Sequence, residues 1–183
     1  MSVAGILLAA GAGRRYGRPK ALVDDWLARS VDTLELGGCR PVVVVLGAAA
    51  DEAAARVPDH VTIVHATRWA DGMGASLRAA LEHLSGAAAE SAVVHLVDLP
   101  DVGPEVIARL LGSVPGPHSL ARVVYRGRPG HPVLLGRDHW EPIRALAHGD
   151  SGARDYLRRH PWTPVECGDL ATGRDVDVPP SAT

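Results

Sequence analysis

The chain has 183 residues, of which 46% are hydrophobic and 22% charged, and its formal net charge is -2 at pH 7. That length suits one domain with a sizeable core, while the balanced charge argues against the broad basic field of a non-specific nucleic-acid binder. No apolar run approaches the roughly 20 residues that span a bilayer, and Met1-Ser2-Val3 lacks the basic start of a signal peptide; with only Cys39 and Cys167 available for cross-links, one cytoplasmic domain over residues 1–183 is expected.

Residues 3–9 form a short, uninterrupted apolar run that ends in a glycine-rich loop, the pattern of a strand buried on both faces of a parallel sheet. Trp26, Leu27, Val31 and Leu34 then share one face of a helix, followed by apolar strand runs at 42–46 and 61–64. Leu77, Ala80, Leu81 and Leu84 recur at helical spacing, with Gly86 placed to end that helix. A strand at 92–97 precedes a third helix, which opens with Pro104-Glu105 and continues through Val106, Ile107, Leu110 and Leu111. Strands at 121–125 and 132–135 and a helix over 139–147 complete the series, and a frayed tail is expected at 178–183. Strands alternating with helices imply an α/β fold, a mostly parallel sheet with helices on both faces. Right-handed crossovers gather the strand-to-helix loops on one edge, where open α/β sheets bind ligands.

Of nineteen basic residues, eighteen are Arg and one, Lys20, is Lys. Arg replaces Lys poorly where a compact ammonium must act as a point charge, so Lys20 is either a chance survivor or a functional cation. It closes the loop after the first strand, which also contains Gly11, Gly13, Arg14, Arg15, Gly17 and Arg18. Glycines bring backbone N–H groups against an anion, and the added cations point to a polyphosphate; a merely solvated basic loop is the plain alternative. A dinucleotide fingerprint needs G-x-G-x-x-G and an acid near the end of the second strand, whereas this loop is spaced G-x-G-x-x-x-G and that strand ends in Leu46-Gly47-Ala48. The G-x-x-x-x-G-K-[ST] phosphate loop is also absent.

Leu7-Leu8-Ala9-Ala10-Gly11-x-Gly13-x-Arg15-x-Gly17-x-Pro19-Lys20 resembles, position for position, the signature of NTP transferases built on a compact Rossmann-like domain of the nucleotide-diphospho-sugar transferase type. The resemblance implies that Leu8, Ala9, Ala10, Gly11 and Gly13 border the nucleotide, and that Arg15 and Lys20 neutralise phosphate charge. Gly72-Met73-Gly74-Ala75-Ser76-Leu77 resembles the G-M-x-x-S-L helix start of the molybdenum cofactor cytidylyltransferases, implying nucleotide contacts from Gly72, Gly74 and Ser76. Small residues and a hydroxyl at a helix N-terminus suit close approach of a nucleotide; capping by Ser76 or packing by the glycines would explain them as well.

Asp98 follows an apolar strand and so belongs at the ligand edge; the family's Asp-x-Pro at this point implies a Mg2+ ligand. Mg2+ takes one or two carboxylates plus phosphate oxygens. Capping of the Pro104 helix is the other role for an acid here, one that Asp101 or Gly103 is better placed to fill. Residues 126–135 resemble the family's G-x-x-G-H-P-V hairpin, implying that His131 borders the second substrate, though a structural histidine is equally consistent. Residues 148–154 resemble G-D-x-G-A-R, implying substrate contacts from Asp150 and Arg154, with an N-cap as the alternative for Asp150. Asp175-Val176-Asp177-Val178-Pro179 resembles D-x-D-T-P with Val178 in place of Thr, implying Asp177, in preference to Asp175, as the second metal ligand.

The resemblance runs from Ile6 to about Pro179 and implies transfer of CMP from CTP to the terminal phosphate of molybdopterin cofactor, with release of pyrophosphate and a molybdoenzyme as client. The Ala9-Ala10-Gly11 loop favours the cytidylyl branch over the guanylyl one, which uses GTP. A related transferase for another phosphorylated acceptor is the nearest alternative. A nucleotide- or cofactor-binding chaperone without turnover is the next, because Ala21 to Asp25 run straight into Trp26 where the family has a longer connection after Lys20; an oxidoreductase is more remote. Trp26, Trp69, Trp140 and Trp162 are expected to pack, His65 and His95 to be buried and hydrogen-bonded, and Cys39 and Cys167 to be inert.

Overall fold

In the computed structural model, which describes residues 2–113 and 116–179, β1 (Val3–Leu8) is an interior strand of a seven-stranded sheet because both its faces are apolar. Its parallel neighbours are β2 (Val42–Leu46) and β4 (Ser91–Leu96). The sheet continues to β3 (Thr62–His65) on one side, and on the other through β6 (Arg128–Gly136) and β5 (Leu120–Tyr125) to β7 (Thr163–Glu166). The spatial order is β3-β2-β1-β4-β6-β5-β7.

Alternate side chains of the central strands feed two cores. Leu7, Val44 and Val93 pack with Leu27, Val31 and Leu34 of α1 (Trp26–Leu36) and Val106, Ile107 and Leu110 of α4 (Pro104–Ser113). Ile6, Val43 and Val94 pack on the opposite face with Leu77, Ala80 and Leu81 of α3 (Met73–Leu84), Ile143 of α5 (Trp140–Leu146) and Tyr156 of α6 (Arg154–Leu157). Such double burial is why β1 and β2 are continuous apolar runs instead of alternating ones, and why β4 is apolar apart from the buried Ser91 and His95. A short helix, α2 (Ala50–Ala54), links β2 to β3.

β6 is antiparallel to both β4 and β5, because β5 and β6 are joined by the two-residue turn Arg126-Gly127, with φ of 52° and 77°; paired positive φ values suit a tight hairpin turn, in line with the hairpin expected here within a mostly parallel sheet. Two features depart from the sequence expectation. β7, parallel to β5 at the sheet edge, has only one buried residue in four and so gives no apolar run. β3 likewise lies at an edge and is half-exposed, not fully buried.

After β7 the chain returns across the ligand edge, where the Val176 N–H donates to the Asp98 carbonyl at 3.0 Å. Of the tail expected to fray, residues 180–183 lie outside the described residues. No helix among the described residues is long and apolar enough to cross a membrane.

Candidate active site

Leu8 and Leu96 are register partners at the ends of β1 and β4, so the glycine loop and the Val97-Asp98 segment leave the sheet side by side. Val97 N–H donates to Leu8 O at 3.3 Å, Ala9 N–H to Val45 O at 3.0 Å and Ala48 N–H to Ala10 O at 2.9 Å. These bonds extend the sheet two residues beyond β1 before the chain turns away. Gly13 has φ +60°, and a Cβ there would lie 1.8 Å from the Arg18 carbonyl oxygen. A side chain at this position would prevent the loop from folding back on itself, which the Gly17 N–H to Gly13 O bond of 2.8 Å then fastens.

The return of the loop delivers Lys20, at the start of a 3-10 turn, to the strand ends. Its Nζ donates to Asp98 Oδ2 at 2.7 Å and to Asp177 Oδ1 at 3.0 Å. Arg15 reaches the other oxygen of Asp177 at 2.7 Å. The short connection after Lys20 therefore leaves the ammonium beside both acids. The Lys20 and Asp98 side chains are only 13% and 18% exposed, whereas that of Arg15 is 77% exposed. Burial works against the Lys20 charge, but hydrogen bonds to Asp98 and Asp177 and their negative charges outweigh it and raise its pKa. Asp177 is held below the usual carboxylate range, first by its hydrogen bond from Lys20 and further by the charges of Lys20 and Arg15, against a smaller burial effect.

Asp98, Asp175 and Asp177 each offer a carboxylate oxygen, and the three oxygens lie within 4.8 Å of one another. Asp98 Oδ1 is buried and has no hydrogen-bond partner among the described residues, an expensive condition for a carboxylate oxygen that nothing else satisfies. An all-oxygen set with one uncommitted buried oxygen fits a hard divalent cation.

A cleft of about 560 Å³ opens over this cluster. Leu8, Ala9, Ala10, Gly11, Gly13, Arg15, Lys20, Gly72, Ser76, Asp98, Asp150 and Asp177 all line it. So do Tyr16, Trp69 and Asp175: Tyr16 carries no motif signal, Trp69 is expected from the sequence only to pack, and Asp175 is the less favoured acid of its motif. Gly72 and Asp150 meet across the cleft wall: a Cβ on Gly72 would fall 2.5 Å from Gly149 O and 2.7 Å from Asp150 Oδ1. The G-M-x-x-S-L and G-D-x-G-A-R segments are thus one packed unit. Ser76 is not the α3 cap, which is Gly72, and Asp150 is not the α6 cap, which is Ala153.

Three expected site residues do not line the cleft. Gly74 faces the chain between α5 and the next turn, where a Cβ would sit 2.6 Å from His148 N and 2.9 Å from Ala147 C; only glycine lets α3 pack that closely. His131 and Arg154 belong instead to a group with Arg122. The His131 pKa is pushed down to about 4 by burial and then by the charge of Arg122. Arg122 is itself lowered by burial and by Arg154, and its Nε donates to Gly130 O at 2.8 Å. A further cleft of about 500 Å³, bordered by Tyr125, Arg126, Arg128 and residues 171–175, adjoins the first at Asp175.

The remaining expectations divide. His95 is buried, but neither ring nitrogen has a hydrogen-bond partner among the described residues, and His65 is exposed. Trp140 is buried and donates to Leu135 O at 2.9 Å; Cys39 and Cys167 are buried free thiols. Asp101 does not cap α4, because its carboxylate accepts hydrogen bonds from Thr172 and Gly173.

Residues 5–165 match the family model described as the MobA-like NTP transferase domain. The chain is 36% identical to the nicotine blue oxidoreductase of Paenarthrobacter nicotinovorans, covering 96% of this chain and 92% of that one. It is 29% identical to the molybdenum cofactor guanylyltransferase of Rhodobacter capsulatus over 76% of this chain and 66% of that one. Among solved structures, the Mycobacterium tuberculosis H37Rv protein Rv0371c in complex with manganese superposes with a TM-score of 0.77 at 26% identity, covering 96% and 94% of the two chains.

Proposed function

The chain belongs to the MobA-like NTP transferase family, a family of nucleotidyltransferases, and we propose that it moves CMP from CTP to the terminal phosphate of molybdopterin cofactor and releases pyrophosphate. It would do so in the cytoplasm as one domain spanning residues 1–183, with the product passing to a molybdoenzyme. The observation that carries this reading is the convergence of Lys20 and Arg15 with Asp98, Asp175 and Asp177 at the mouth of a nucleotide-sized cleft. The Rhodobacter capsulatus relative supports the acceptor, and the manganese complex of the mycobacterial protein supports a divalent cation.

In the reaction an oxygen of the acceptor phosphate attacks the α-phosphorus of CTP. A new P–O–P bond forms as the bond to the β-phosphate oxygen breaks, and pyrophosphate leaves with that electron pair. The acceptor is already an anion, so no side chain need remove a proton. Mg2+, held by Asp98 and Asp177 with Asp175 beside them, would screen phosphate charge and polarise the transferring group. Lys20 keeps its proton and, with Arg15, offsets the negative charge that gathers at the α-phosphate and on the leaving group. Gly11 leaves open space where a side chain would stand, allowing backbone N–H groups to approach phosphate. Leu8, Ala9, Ala10 and Ser76 border the base and ribose. His131 and Arg154, with Arg122, are assigned to the acceptor side.

The preference for CTP rests on the Ala9-Ala10-Gly11 loop. Incubation of the protein with each NTP, Mg2+ and molybdenum cofactor tests it: the cytosine dinucleotide is the expected product, and preferential use of GTP would sink the cytidylyl assignment in favour of guanylyl transfer. A chaperone without turnover is excluded if pyrophosphate release depends on Asp98.

A second reading, oxidoreduction, is favoured by the name of the Paenarthrobacter relative. A nicotinamide site of the usual kind would place an acid at the end of β2, where this chain has Gly47 and Ala48. Saturable binding of NADH or NADPH, with substrate-dependent oxidation, would support that reading.

A further inference from the structure

The reading of Asp98, Asp175 and Asp177 as a cation site raises a physical question. Three carboxylates within 4.8 Å repel one another, and two of them sit on a segment with no regular secondary structure. Lys20 and Arg15 offset part of that repulsion, but the course of the segment must be fixed by bonds outside the cluster.

Those bonds converge on Asp101. Its Oδ2 accepts from Thr172 N–H at 2.7 Å, from Thr172 Oγ1 at 2.5 Å and from Gly173 N–H at 3.3 Å. Gly173 has φ +63°, and a Cβ there would lie 2.0 Å from the Tyr125 ring, so the segment is laid directly against that ring. Three residues further on, the Val176 N–H donates to Asp98 O. Asp101 is itself three residues beyond Asp98 in the same loop. One short stretch thus holds both a cluster carboxylate and the latch for the segment that supplies the other two.

We propose that Asp101 is a positioning residue that latches the strap of residues 172–177 across the ligand edge and so sets Asp175 and Asp177 against Asp98. The proposal rests on the metal reading above, and its test separates the two. Free Mn2+ is followed by electron paramagnetic resonance in wild-type protein and in Asp101→Ala, without nucleotide. In parallel, trypsin cleavage after Arg174, which is exposed on the strap, is timed by mass spectrometry. Asp101→Ala is expected to weaken Mn2+ binding about tenfold, the usual scale for a residue that orients a ligand from outside the coordination shell. It should speed cleavage after Arg174 by about tenfold, because cleavage follows local release of the strap. Asp101→Asn keeps an acceptor oxygen and should restore most of both properties. Cleavage after arginines outside the strap should keep its wild-type rate, which a general loss of structure would not permit.

If Asp101→Ala does not fold, Thr172→Val removes one bond of the latch and Gly173→Ala displaces the strap from Tyr125; both should shift the two readouts in the same direction. Unchanged cleavage overturns the latch. Faster cleavage with unchanged Mn2+ affinity overturns the positioning role. If wild-type protein binds no Mn2+, the metal reading fails, and the cleavage rates alone then decide whether Asp101 holds the strap.

Discussion

Lys20 Nζ lies 2.7 Å from Asp98 Oδ2, although 78 residues separate the two in the chain. The contact forms because β1 and β4 are parallel neighbours, so their following loops start from adjacent points on one sheet edge. Asp177 closes the bridge from the C-terminal segment at 3.0 Å. The single lysine of a chain with eighteen arginines therefore stands between two acids, where a compact cation can donate to both.

Lys20→Arg tests whether that geometry matters beyond charge. A planar guanidinium cannot meet both carboxylates from the position of Nζ without displacing them. Steady-state pyrophosphate release should fall about a hundredfold in kcat, with a smaller change in KM for CTP. Wild-type rates would show that the identity of this cation is irrelevant.

Gly74 lies in a motif linked to nucleotide binding, yet it packs against His148 and Ala147. Gly74→Ala should lower stability by about 1–3 kcal/mol, the usual cost of forcing an extra carbon into a filled contact. CTP affinity measured well below the melting temperature should change little. A large loss of affinity without a fall in Tm would return Gly74 to the nucleotide site.

The histidines make stability depend on pH. Burial lowers the His95 pKa to about 3, with His131 adding to the effect, and burial followed by Arg122 lowers His131 to about 4, against 6.5 for an unperturbed imidazole. As pH falls below 6.5, the unfolded chain takes up these protons before the folded one, so stability drops until about pH 3 and then stops falling on their account. Asp177, with its lowered pKa, loses stabilisation in the same direction further into acid. His95→Leu removes one share of the slope and two buried ring nitrogens that have no hydrogen-bond partner among the described residues. Denaturant midpoints between pH 4 and 8 should show a flatter profile, with a gain of about 1 kcal/mol or more at pH 7. An unchanged slope would contradict the assignment.

Much of this architecture is legible from residue order because double burial writes itself as apolar runs. β1 and β2 show it plainly, and β4, apolar apart from Ser91 and His95, places Asp98 at the ligand edge. β7 and β3 are edge strands with mixed exposure, so periodicity says little about them. The reversal of β6 depends on two positive-φ residues, Arg126 and Gly127, of which only the glycine advertises itself. In the site, the glycines and cations of the loop after β1 mark an anion site by themselves, whereas the two small-residue segments stand out only through their resemblance to family motifs. Trp69 was not legible, since a tryptophan beside a helix start looks like packing. Nor was Asp101: its partners are 71 and 72 residues away, and a short-range cap is the simpler expectation.

Asp98 is where the sheet edge, the lysine and the acidic cluster meet. The most direct test follows pyrophosphate and cytosine dinucleotide formed from CTP, Mg2+ and molybdenum cofactor by wild-type protein and by Asp98→Ala. The wild type should form the two products in equal amounts, and Asp98→Ala should lose activity by about a thousandfold, as expected when electrostatic support of a transition state is removed, while remaining folded. Equal rates for the two proteins would contradict the assignment of this cluster as the centre of nucleotidyl transfer.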